Sequence, residues 1–532
     1  MHTTGTPQGY FALVLHAHLP FVRHPELPRF MEEDWLFEAI TETYLPLLDT
    51  FEGLERDGVD FRVTMSLTPP LVSMLTDELL QERYETYLDG RIELAGQEMA
   101  RLRGSRELYP LAEMYYNIFT RSRHRFTHGY GRDLVQAFRG LQDRGFLEVI
   151  TCGATHGFLP HLKDPVVQRA QIEVAVDQYE EHFGRGPVGI WLPECAYVPG
   201  IEELLAPFGI RYFLLENHGI LDAEPQPVRG VYAPLLTPSG VAAFGRDTES
   251  AHQVWSRDSG YPGDYNYREF YRDVGFDLPQ EDVAPYLHSP DIRHMLGMKY
   301  YRITGDTHDK ATYHPGWARD RAAEHAGDFL AKRQEQAARL ADLMDRPPLV
   351  VSPYDAELFG HWWYEGPQFL DFLFRKMRHD QDGVAPITPG EYLRRHPVNQ
   401  VATPAMSSWG ANGTFEVWLN GTNDWVYPHL HKAGERMREL ASRHDAAEGV
   451  RRRALNQAAR ELLLAQSSDW AFIMTMDTTV RYAVQRTKSH LARFTKLYED
   501  ITRDTTDEAW LEEIEARDNI FPRLQYEVYR DR

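Results

Sequence analysis

The sequence lacks the features of a disulfide-rich or membrane-spanning protein. It contains only two cysteines among 532 residues, Cys152 and Cys195, which excludes a disulfide scaffold. No stretch approaches the roughly 18 consecutive apolar residues of a membrane span. Residues 1–7 lack the basic start and apolar run of a secretory signal. We therefore expect a cytoplasmic protein without structural disulfides, and a pairing between the two thiols is left open.

Positive charge is also scarce. Lys and Arg number 57 against 79 Asp and Glu, which gives a formal net charge of −22. Such a surface repels phosphate backbones and anionic lipid, so neither nucleic acid nor a membrane is an expected partner, whereas a neutral substrate is not penalised. Aromatic residues are abundant at 12%, including 11 Trp and 28 Tyr. Core packing accounts for most of them, and stacking on sugars or bases is a use for the remainder.

Short apolar runs alternate with helical patterns over the first two thirds of the chain. Strands separated by helices favour a parallel sheet with right-handed crossovers. Seven such strands indicate a barrel, complete or incomplete, in preference to an open sheet. The predicted strands occupy residues 10–15, 61–67, 147–151, 188–190, 210–215, 241–244 and 349–352.

Three segments depart from this alternation. Residues 77–145 are helical and charged, and we interpret them as an inserted helical subdomain, with ordinary barrel helices as the alternative. Residues 255–309 are rich in Tyr, Gly, Asp and Pro, and they are predicted to form a long excursion over a site. Helical patterns return in the last part of the chain. We therefore predict a catalytic barrel over residues 1–398 and a helical C-terminal domain over residues 399–532.

Ionisable residues recur where the predicted strands end. One strand stops at Pro193, which has no N–H to donate, and the carboxylate of Glu194 follows directly. The alternative is that Glu194 caps a helix beginning near Pro199. Because loops after parallel barrel strands meet at one face and carry the chemistry, we expect a catalytic site there. Six of the seven strand ends carry ionisable residues: His16 and His18, His156, Glu194, Glu216 and His218, Arg246 and Asp247, and Asp355 and Glu357.

Two chemistries compete for these residues. Metal-dependent barrel hydrolases use several imidazoles with a carboxylate, because both ligand types suit zinc. Against a metal, the strand that carries Glu194 supplies neither His nor Lys, and no His-Glu-x-x-His motif is present. A retaining glycosidase instead needs two carboxylates about 5–5.5 Å apart, one as nucleophile and one as acid/base. Glu194 and Asp355 are the candidates, and we favour this chemistry, without a metal or cofactor.

The same residues belong to a set of ordered motifs. The motifs resemble the five signature regions of glycoside hydrolase family 57. This resemblance implies an α/β fold with an incomplete TIM-like (β/α)7 barrel, an inserted helical subdomain and an all-helical C-terminal domain. It also implies Glu194 as nucleophile, Asp355 as general acid/base, and a central sugar subsite lined by His16, His18, His156, Asp469 and Trp470. The motifs are His16-Ala17-His18-Leu19-Pro20, Gly153-Ala154-Thr155-His156, Trp191-Leu192-Pro193-Glu194-Cys195-Ala196-Tyr197, Ser352-Pro353-Tyr354-Asp355-Ala356-Glu357-Leu358-Phe359-Gly360-His361-Trp362-Trp363 and Gln466-Ser467-Ser468-Asp469-Trp470.

Residues 245–256 and 407–421 are similar to segments of the family's 1,4-α-glucan (glycogen) branching enzymes. The similarity implies cleavage of α-1,4-glucan and transfer of the chain to a 6-hydroxyl through a covalent glycosyl-enzyme. An α-amylase-type hydrolase, a 4-α-glucanotransferase, a metal-dependent hydrolase and a sugar-binding protein without turnover remain alternatives. The oligomeric state is open, with a monomer as the expectation. Further glucan-binding residues are expected to be Trp35, Trp191, Arg246, Trp255, Glu357, Trp409 and Trp418, with Tyr232 on a loop (221–235) that would cover the cleft.

For the mechanism, the two carboxylates require different protonation states. Asp355 must be protonated to act first as an acid. Burial and the nearby carboxylates of Glu194 and Glu357 are therefore expected to raise the pKa of Asp355.

Overall fold

The chain forms nine β-strands over residues 7–256 and 259–531, the part that this computed structural model describes. All nine residues of the first strand are buried, as is usual for a parallel strand covered on both faces. The strands are β1 Gly9–Ala17, β2 Val63–Leu67, β3 Leu147–Ile150, β4 Gly189–Ile190, β5 Tyr212–Leu215, β6 Leu235–Leu236, β7 Ala242–Gly245, β8 Leu349–Asp355 and β9 Val384–Pro386. All except β6 and β9 lie where the sequence predicts a strand.

Seven of the strands close into a barrel. Parallel ladders join β3, β2, β1 and β8 in one run and β4, β5 and β7 in another. The runs meet at both ends, because Trp191 N donates to Thr151 O and Asp247 N donates to Val351 O, each at 2.9 Å. The predicted (β/α)7 barrel is therefore confirmed. Two strands add to it, since β6 pairs antiparallel with β7 and β9 pairs parallel with the start of β1.

Helices cover the barrel and form the remainder of the fold. The helices are α1 Asp34–Ala39, α2 Leu45–Arg56, α3 Pro69–Leu75, α4 Glu78–Arg101, α5 Tyr109–His124, α6 Leu134–Asp143, α7 Leu159–Leu162, α8 Pro165–Phe183, α9 Ile201–Leu205, α10 Asn217–Leu221, α11 Thr248–Trp255, α12 Val274–Asp277, α13 Gln280–Val283, α14 Pro315–Ala341, α15 Gly366–His379, α16 Pro389–Arg395, α17 Val426–Arg443, α18 Gly449–Ala465, α19 Ser468–Met476, α20 Val480–Arg503 and α21 Glu508–Arg517. Among these helices, none combines the length and the apolarity that a bilayer crossing requires.

Three features of this helical layer bear on the site. A π-helical stretch, Ile40–Tyr44, joins α1 to α2. The segment between β2 and β3 is helical as predicted, with α4 packed on α5. In the excursion before α14, a buried ion pair of 3.1 Å between Lys299 and Asp273 fixes the backbone around α12.

The C-terminal region is all-helical, as expected, from α17 to α21. Segments on either side of α17 reach back to the barrel through isolated β-bridges, between Gly157 and Ser467 and between Tyr197 and Ser407. These bridges place two C-terminal segments against the loops that follow β3 and β4. The domain boundaries at 77, 145 and 398 remain predictions.

Candidate active site

A cavity of about 600 Å³ opens at the carboxyl ends of the barrel strands. Its size falls within the roughly 300–1,000 Å³ of small-ligand sites. Most of the site residues proposed from the sequence line this cavity. They are His16, His18, Trp35, His156, Glu194, Arg246, Trp255, Asp355, Glu357, Trp409 and Asp469.

Four of the proposed substrate-binding residues lie outside the cavity wall. Trp191 is fully buried and stacks on His16, with ring centroids 4.4 Å apart and planes inclined by 7°. Trp418 and Trp470 are also buried, and the Trp470 indole donates to the carbonyl of Leu464. Tyr232 lines a neighbouring cavity. These four side chains therefore do not form the surface that a sugar in the main cavity would meet.

Glu194 sits in a strained backbone conformation immediately after β4. Its φ and ψ of 62° and 20° lie in the left-handed region, which is uncommon for a residue with a Cβ. Gly200 is the residue that precedes α9, so the alternative in which Glu194 caps that helix is wrong. The turn directs the Glu194 carboxylate into the cavity instead.

Three donors hold the Glu194 carboxylate. The indole of Trp409 donates to Oε2 at 2.9 Å. Oε1 accepts from the indole of Trp418 at 3.2 Å and from the hydroxyl of Ser468 at 2.8 Å. Burial raises the pKa of Glu194, and the hydrogen bonds from Trp409 and Ser468 oppose the increase. Because indole N–H groups only donate, this arrangement suits an ionised, oriented carboxylate.

A chain of hydrogen bonds runs from Ser66, at the carboxyl end of β2, to Glu194. His16 Nδ1 lies 3.2 Å from Ser66 Oγ, and His16 Nε2 lies 3.0 Å from His156 Nε2. His156 Nδ1 lies 2.8 Å from Ser468 Oγ. Since Ser468 donates to Glu194, it accepts from His156 Nδ1–H, and His156 Nε2 then accepts from His16 Nε2–H. Burial lowers the pKa of both histidines well below the usual value, so the chain joins neutral imidazoles.

His18 differs from the other two imidazoles. Its Nε2 lies 3.1 Å from both carboxylate oxygens of Asp469, and its ring stacks on His156 with centroids 3.8 Å apart. Burial acts to lower the pKa of His18, but the Asp469 carboxylate outweighs it and the pKa is raised. Burial acts to raise the pKa of Asp469, yet His18 brings it down to about 2. The two groups therefore form an ion pair on the cavity wall.

Asp355 ends β8 and lies opposite His16 in the strand register. Burial and then the carboxylates of Glu357 and Glu194 raise the pKa of Asp355 well above its usual value, as the sequence predicts. Glu357 in turn accepts from the Tyr44 hydroxyl at 2.5 Å and from His18 N at 3.3 Å. Asp355 is thus suited to hold a proton at a pH where an ordinary aspartate is ionised.

Other ionisable strand ends serve structural contacts. Arg246 lines the cavity and donates to Glu216 Oε2 at 3.0 Å. Asp247 is buried, caps α11 through Ser250 N at 2.7 Å, and accepts from Gln336 at 2.7 Å. His218 Nε2 lies 3.1 Å from the carbonyl of Gly413. Of these residues, Arg246 is the one that a ligand in the main cavity would meet.

Several residues of the site were not identified from the sequence. Ser468 lies in the motif of residues 466–470, next to Asp469, but nothing in the sequence indicates its contact with Glu194. Trp35 and Glu38 are one helical turn apart, so a shared face was predictable. The unpredicted residues at or beside the cavity are Leu19, Glu38, Ala39, Tyr44, Ser66, Thr68, His361, Trp362, Ser468 and Phe472.

Two groups of side chains in the site have ligand atoms close enough to hold a metal ion. They are His18, His156 and Asp469, and His16, Cys152 and His156. The nitrogens of His16 and His156 are engaged with each other and with serines, so a metal would have to displace this network. Cys152 and Cys195 are both buried free thiols, and no disulfide joins them in this structure.

Carboxylates at the ends of β4 and β8, surrounded by imidazoles and indoles at a barrel mouth, are the arrangement that retaining glycoside hydrolases use. The glycosyl hydrolase family 57 profile matches residues 12–405, and a profile for the C-terminal region of 1,4-α-glucan branching enzymes matches residues 429–529. The chain belongs to glycoside hydrolase family 57.

Curated relatives and solved structures extend this comparison. A 1,4-α-glucan branching enzyme of Thermococcus kodakarensis is 35% identical over 97% of this chain and 77% of its own length. A probable 1,4-α-glucan branching enzyme of Mycobacterium tuberculosis is 30% identical over 92% of each chain. A structure described as an α-amylase of Thermotoga maritima is 46% identical, with a TM-score of 0.92 over 98% of this chain and 99% of that one. A branching enzyme structure from Pyrococcus horikoshii is 33% identical, with a TM-score of 0.89 over 99% and 97%.

Proposed function

We propose that the protein is a 1,4-α-glucan branching enzyme, with α-glucan as donor and acceptor. The match of residues 429–529 to the branching-enzyme profile supports this proposal, as do the two curated relatives. The structural observation that carries the proposed mechanism is the pair of carboxylates, Glu194 and Asp355, in one cavity. Burial raises the pKa of both, but hydrogen-bond donors oppose the increase at Glu194, whereas neighbouring carboxylates add to it at Asp355.

In the first step, Glu194 attacks the anomeric carbon of an α-1,4-linked donor. The bond from this carbon to the glycosidic oxygen breaks, and Asp355 gives its proton to that oxygen as the shortened glucan leaves. The result is a glycosyl ester on Glu194. The three hydrogen bonds to Glu194 orient the nucleophile, and the raised pKa of Asp355 keeps the acid protonated beforehand.

In the second step, a 6-hydroxyl of another glucan attacks the same carbon. Asp355, now ionised, takes the hydroxyl proton, the ester bond to Glu194 breaks, and an α-1,6 linkage forms. Water in place of the hydroxyl would give hydrolysis. Trp35, Trp255 and Trp409 offer ring faces in the cavity on which pyranose rings can stack.

The buried tryptophans have a supporting role in this proposal. Trp418 acts on the substrate through Glu194, and Trp191 acts through the His16 ring on which it stacks. We retain Tyr232 as a residue that the loop over 221–235 would bring to the cleft when a glucan binds. In the present structure, its hydroxyl lies 3.5 Å from Gln336 Nε2.

An α-amylase-type hydrolase is the second candidate. The structure from Thermotoga maritima described as an α-amylase supports it, since that chain is 46% identical over almost all of this one. Hydrolysis and branching share the first step and differ in the acceptor. A choice between them therefore depends on how the cavity holds a second glucan.

Incubation of the protein with amylose tests the proposal. We expect new α-1,6 linkages, counted by proton NMR, to outnumber new reducing ends. More reducing ends than α-1,6 linkages would favour the hydrolase, and new α-1,4-linked products without branches would favour a 4-α-glucanotransferase. The same reaction with a chelator present tests the metal-dependent alternative, because a metal enzyme would lose activity. If the protein shows no turnover of amylose, the remaining interpretation is a sugar-binding protein without catalytic activity.

We also propose a cytoplasmic location and a monomeric state. Two buried free thiols without a disulfide support the first, because disulfides are rare in reducing compartments. Light scattering after size-exclusion chromatography tests the second, and a mass near twice the 61.6 kDa of one chain would contradict it.

A further inference from the structure

The loop that follows β8 packs closely on the π-helical stretch between α1 and α2. Gly360 has a φ of +125°, and a Cβ at this position would overlap with the carbonyl oxygen of Glu42. Only glycine permits such an approach between two backbones. From the same π-helical stretch, Tyr44 donates to Glu357 at 2.5 Å. The loop is therefore held at two points, on either side of Leu358 and Phe359.

This packing brings Glu42 against His361. Glu42 Oε2 lies 2.7 Å from His361 Nδ1, and Arg268 lies 3.9 Å from the same oxygen. Burial acts to raise the pKa of Glu42, but Arg268 and His361 outweigh it and the pKa is lowered. Burial acts to lower the pKa of His361, but Glu42 outweighs it and the pKa is raised. With Nδ1 bound to a carboxylate, His361 has Nε2 left for a ligand in the cavity that it lines.

Glu38 lies one turn before Glu42 and lines the same cavity. Burial raises the pKa of Glu38 to about 7. The positive charges of His361 and Lys299 oppose this increase, and the carboxylates of Glu42 and Asp34 add to it. Within the residues that the structure describes, no hydrogen bond is formed to the Glu38 carboxyl group. A polar group of variable charge therefore faces the cavity next to the Glu42–His361 pair.

These groups lie among aromatic rings. Trp35 and Trp362 line the cavity beside Glu38 and His361, and Trp362 stands near Trp255 with ring centroids 6.5 Å apart. Pyranose rings present apolar faces to aromatic rings and hydroxyls to polar groups at their edges. In the described chain, neither Glu38 nor His361 hydrogen-bonds to the two catalytic candidates. Glu194 is bound by donors from residues 409–468, and the strongest electrostatic neighbours of Asp355 are Glu357 and Glu194.

We infer that Glu38 and the Glu42–His361 pair form a binding site for hydroxyl groups of the acceptor glucan. By holding that chain, the site favours attack by a sugar hydroxyl over attack by water. His361 Nε2–H donates to an acceptor hydroxyl oxygen, and ionised Glu38 accepts from a neighbouring hydroxyl. The inference rests on the proposed branching function, because an obligate hydrolase has no glucan acceptor. It assigns to three residues a role in acceptor specificity, separate from bond cleavage.

Variants of His361 and Glu38 test this site. For His361→Asn, we expect the ratio of α-1,6 linkages to reducing ends on amylose to fall about tenfold, since a charge-assisted hydrogen bond is lost. The KM for a maltooligosaccharide acceptor should rise by a similar factor, whereas release of 4-nitrophenol from 4-nitrophenyl α-maltohexaoside should change much less. In the intact protein, the ratio should rise with pH near 7 as Glu38 ionises, and Glu38→Gln should abolish this pH dependence.

The control is His379→Asn, because His379 is exposed at the end of α15, and it should leave the ratio, the acceptor KM and the melting temperature unchanged. An intact protein that forms no α-1,6 linkages would contradict the proposed function itself. The present inference would be overturned if the unsubstituted protein forms branches and the His361→Asn and Glu38→Gln variants keep the same ratio of α-1,6 linkages to reducing ends and the same acceptor KM. Equal losses in 4-nitrophenol release and in branching would also overturn it, because they would place these residues in the cleavage step.

Discussion

Glu194 after β4 and Asp355 at the end of β8 place their carboxylates in the same cavity, but different types of group surround the two carboxylates. Glu194 is surrounded by donors, from Trp409 at 2.9 Å, Trp418 at 3.2 Å and Ser468 at 2.8 Å. Asp355 has carboxylates as its strongest electrostatic neighbours, Glu357 before Glu194. Donors stabilise an anion, whereas neighbouring negative charge retains a proton. Burial is common to both sites, so the neighbours determine which carboxylate suits a nucleophile and which suits an acid.

The two environments also come from different parts of the chain. All three donors to Glu194 belong to the C-terminal region, which the β-bridges of Ser407 and Ser467 attach to the barrel loops. The negative charge beside Asp355 comes from Glu357, in the loop after the same strand. The charges that act on the proposed acid therefore come from the barrel, whereas the donors to the proposed nucleophile depend on the docking of the C-terminal region.

Removal of the proposed nucleophile gives the largest expected effect. Glu194→Gln keeps the shape of the side chain and one acceptor oxygen, which can still accept from Trp418 and Ser468. Its amide NH2 then faces the Trp409 N–H in place of Oε2, and the side chain cannot form the glycosyl ester. We expect turnover of amylose to fall by about a thousandfold or more. Circular dichroism should show an unchanged melting transition within a few degrees. A Glu194→Gln variant with ordinary turnover would exclude the proposed roles of both carboxylates.

Loss of a single donor should have a smaller effect on the same carboxylate. Ser468→Ala removes the hydroxyl that donates to Glu194 and accepts from His156, so both buried groups lose a partner. A deficit of about 1–3 kcal/mol corresponds to a loss of roughly fivefold to 150-fold in kcat. Ser442→Ala, at an exposed position of α17, is the control. Unchanged kcat in the Ser468→Ala variant would show that the hydrogen-bond chain does not orient the nucleophile.

The barrel could be predicted because its signals are local. Seven apolar runs of strand length end at ionisable residues or prolines, and a helical pattern separates consecutive runs. The strands β6 and β9, of two and three residues, are too short for a periodic pattern and were not predicted. β4 is as short as β6, but the Pro193 and Glu194 that follow it marked its end. The π-helical stretch that includes Glu42 and Tyr44 was also not predicted, since its residues continue the apolar spacing of an ordinary helix.

The site was predictable as a set of residues but not as a set of contacts. Motif order identified Glu194, Asp355 and Asp469 as candidates, and the structure brings all three to one cavity. Trp418 was expected to meet glucan, and the structure places it behind Glu194 as a hydrogen-bond donor. Trp418 follows Glu194 at a separation of 224 positions, and no pattern in the intervening sequence specifies such a contact. Pairing between distant segments depends on how the C-terminal region packs, which is a property of the whole fold.

The smallest expected effect concerns the negative charge beside the acid. Glu357→Gln keeps an acceptor for the Tyr44 hydroxyl but removes the charge that helps raise the pKa of Asp355. Since the first step of the proposed mechanism needs protonated Asp355, we expect activity to be lost as pH rises through the pKa of Asp355. A lower pKa therefore moves the alkaline limb of the kcat/KM profile to lower pH, by about one unit for the removal of one nearby charge. Glu335→Gln, at an exposed position of α14, should leave the profile unchanged. An alkaline limb at the same pH in the Glu357→Gln variant would mean that the charge of Glu357 does not help to keep Asp355 protonated. The two carboxylates would then differ only in the hydrogen-bond donors that surround Glu194.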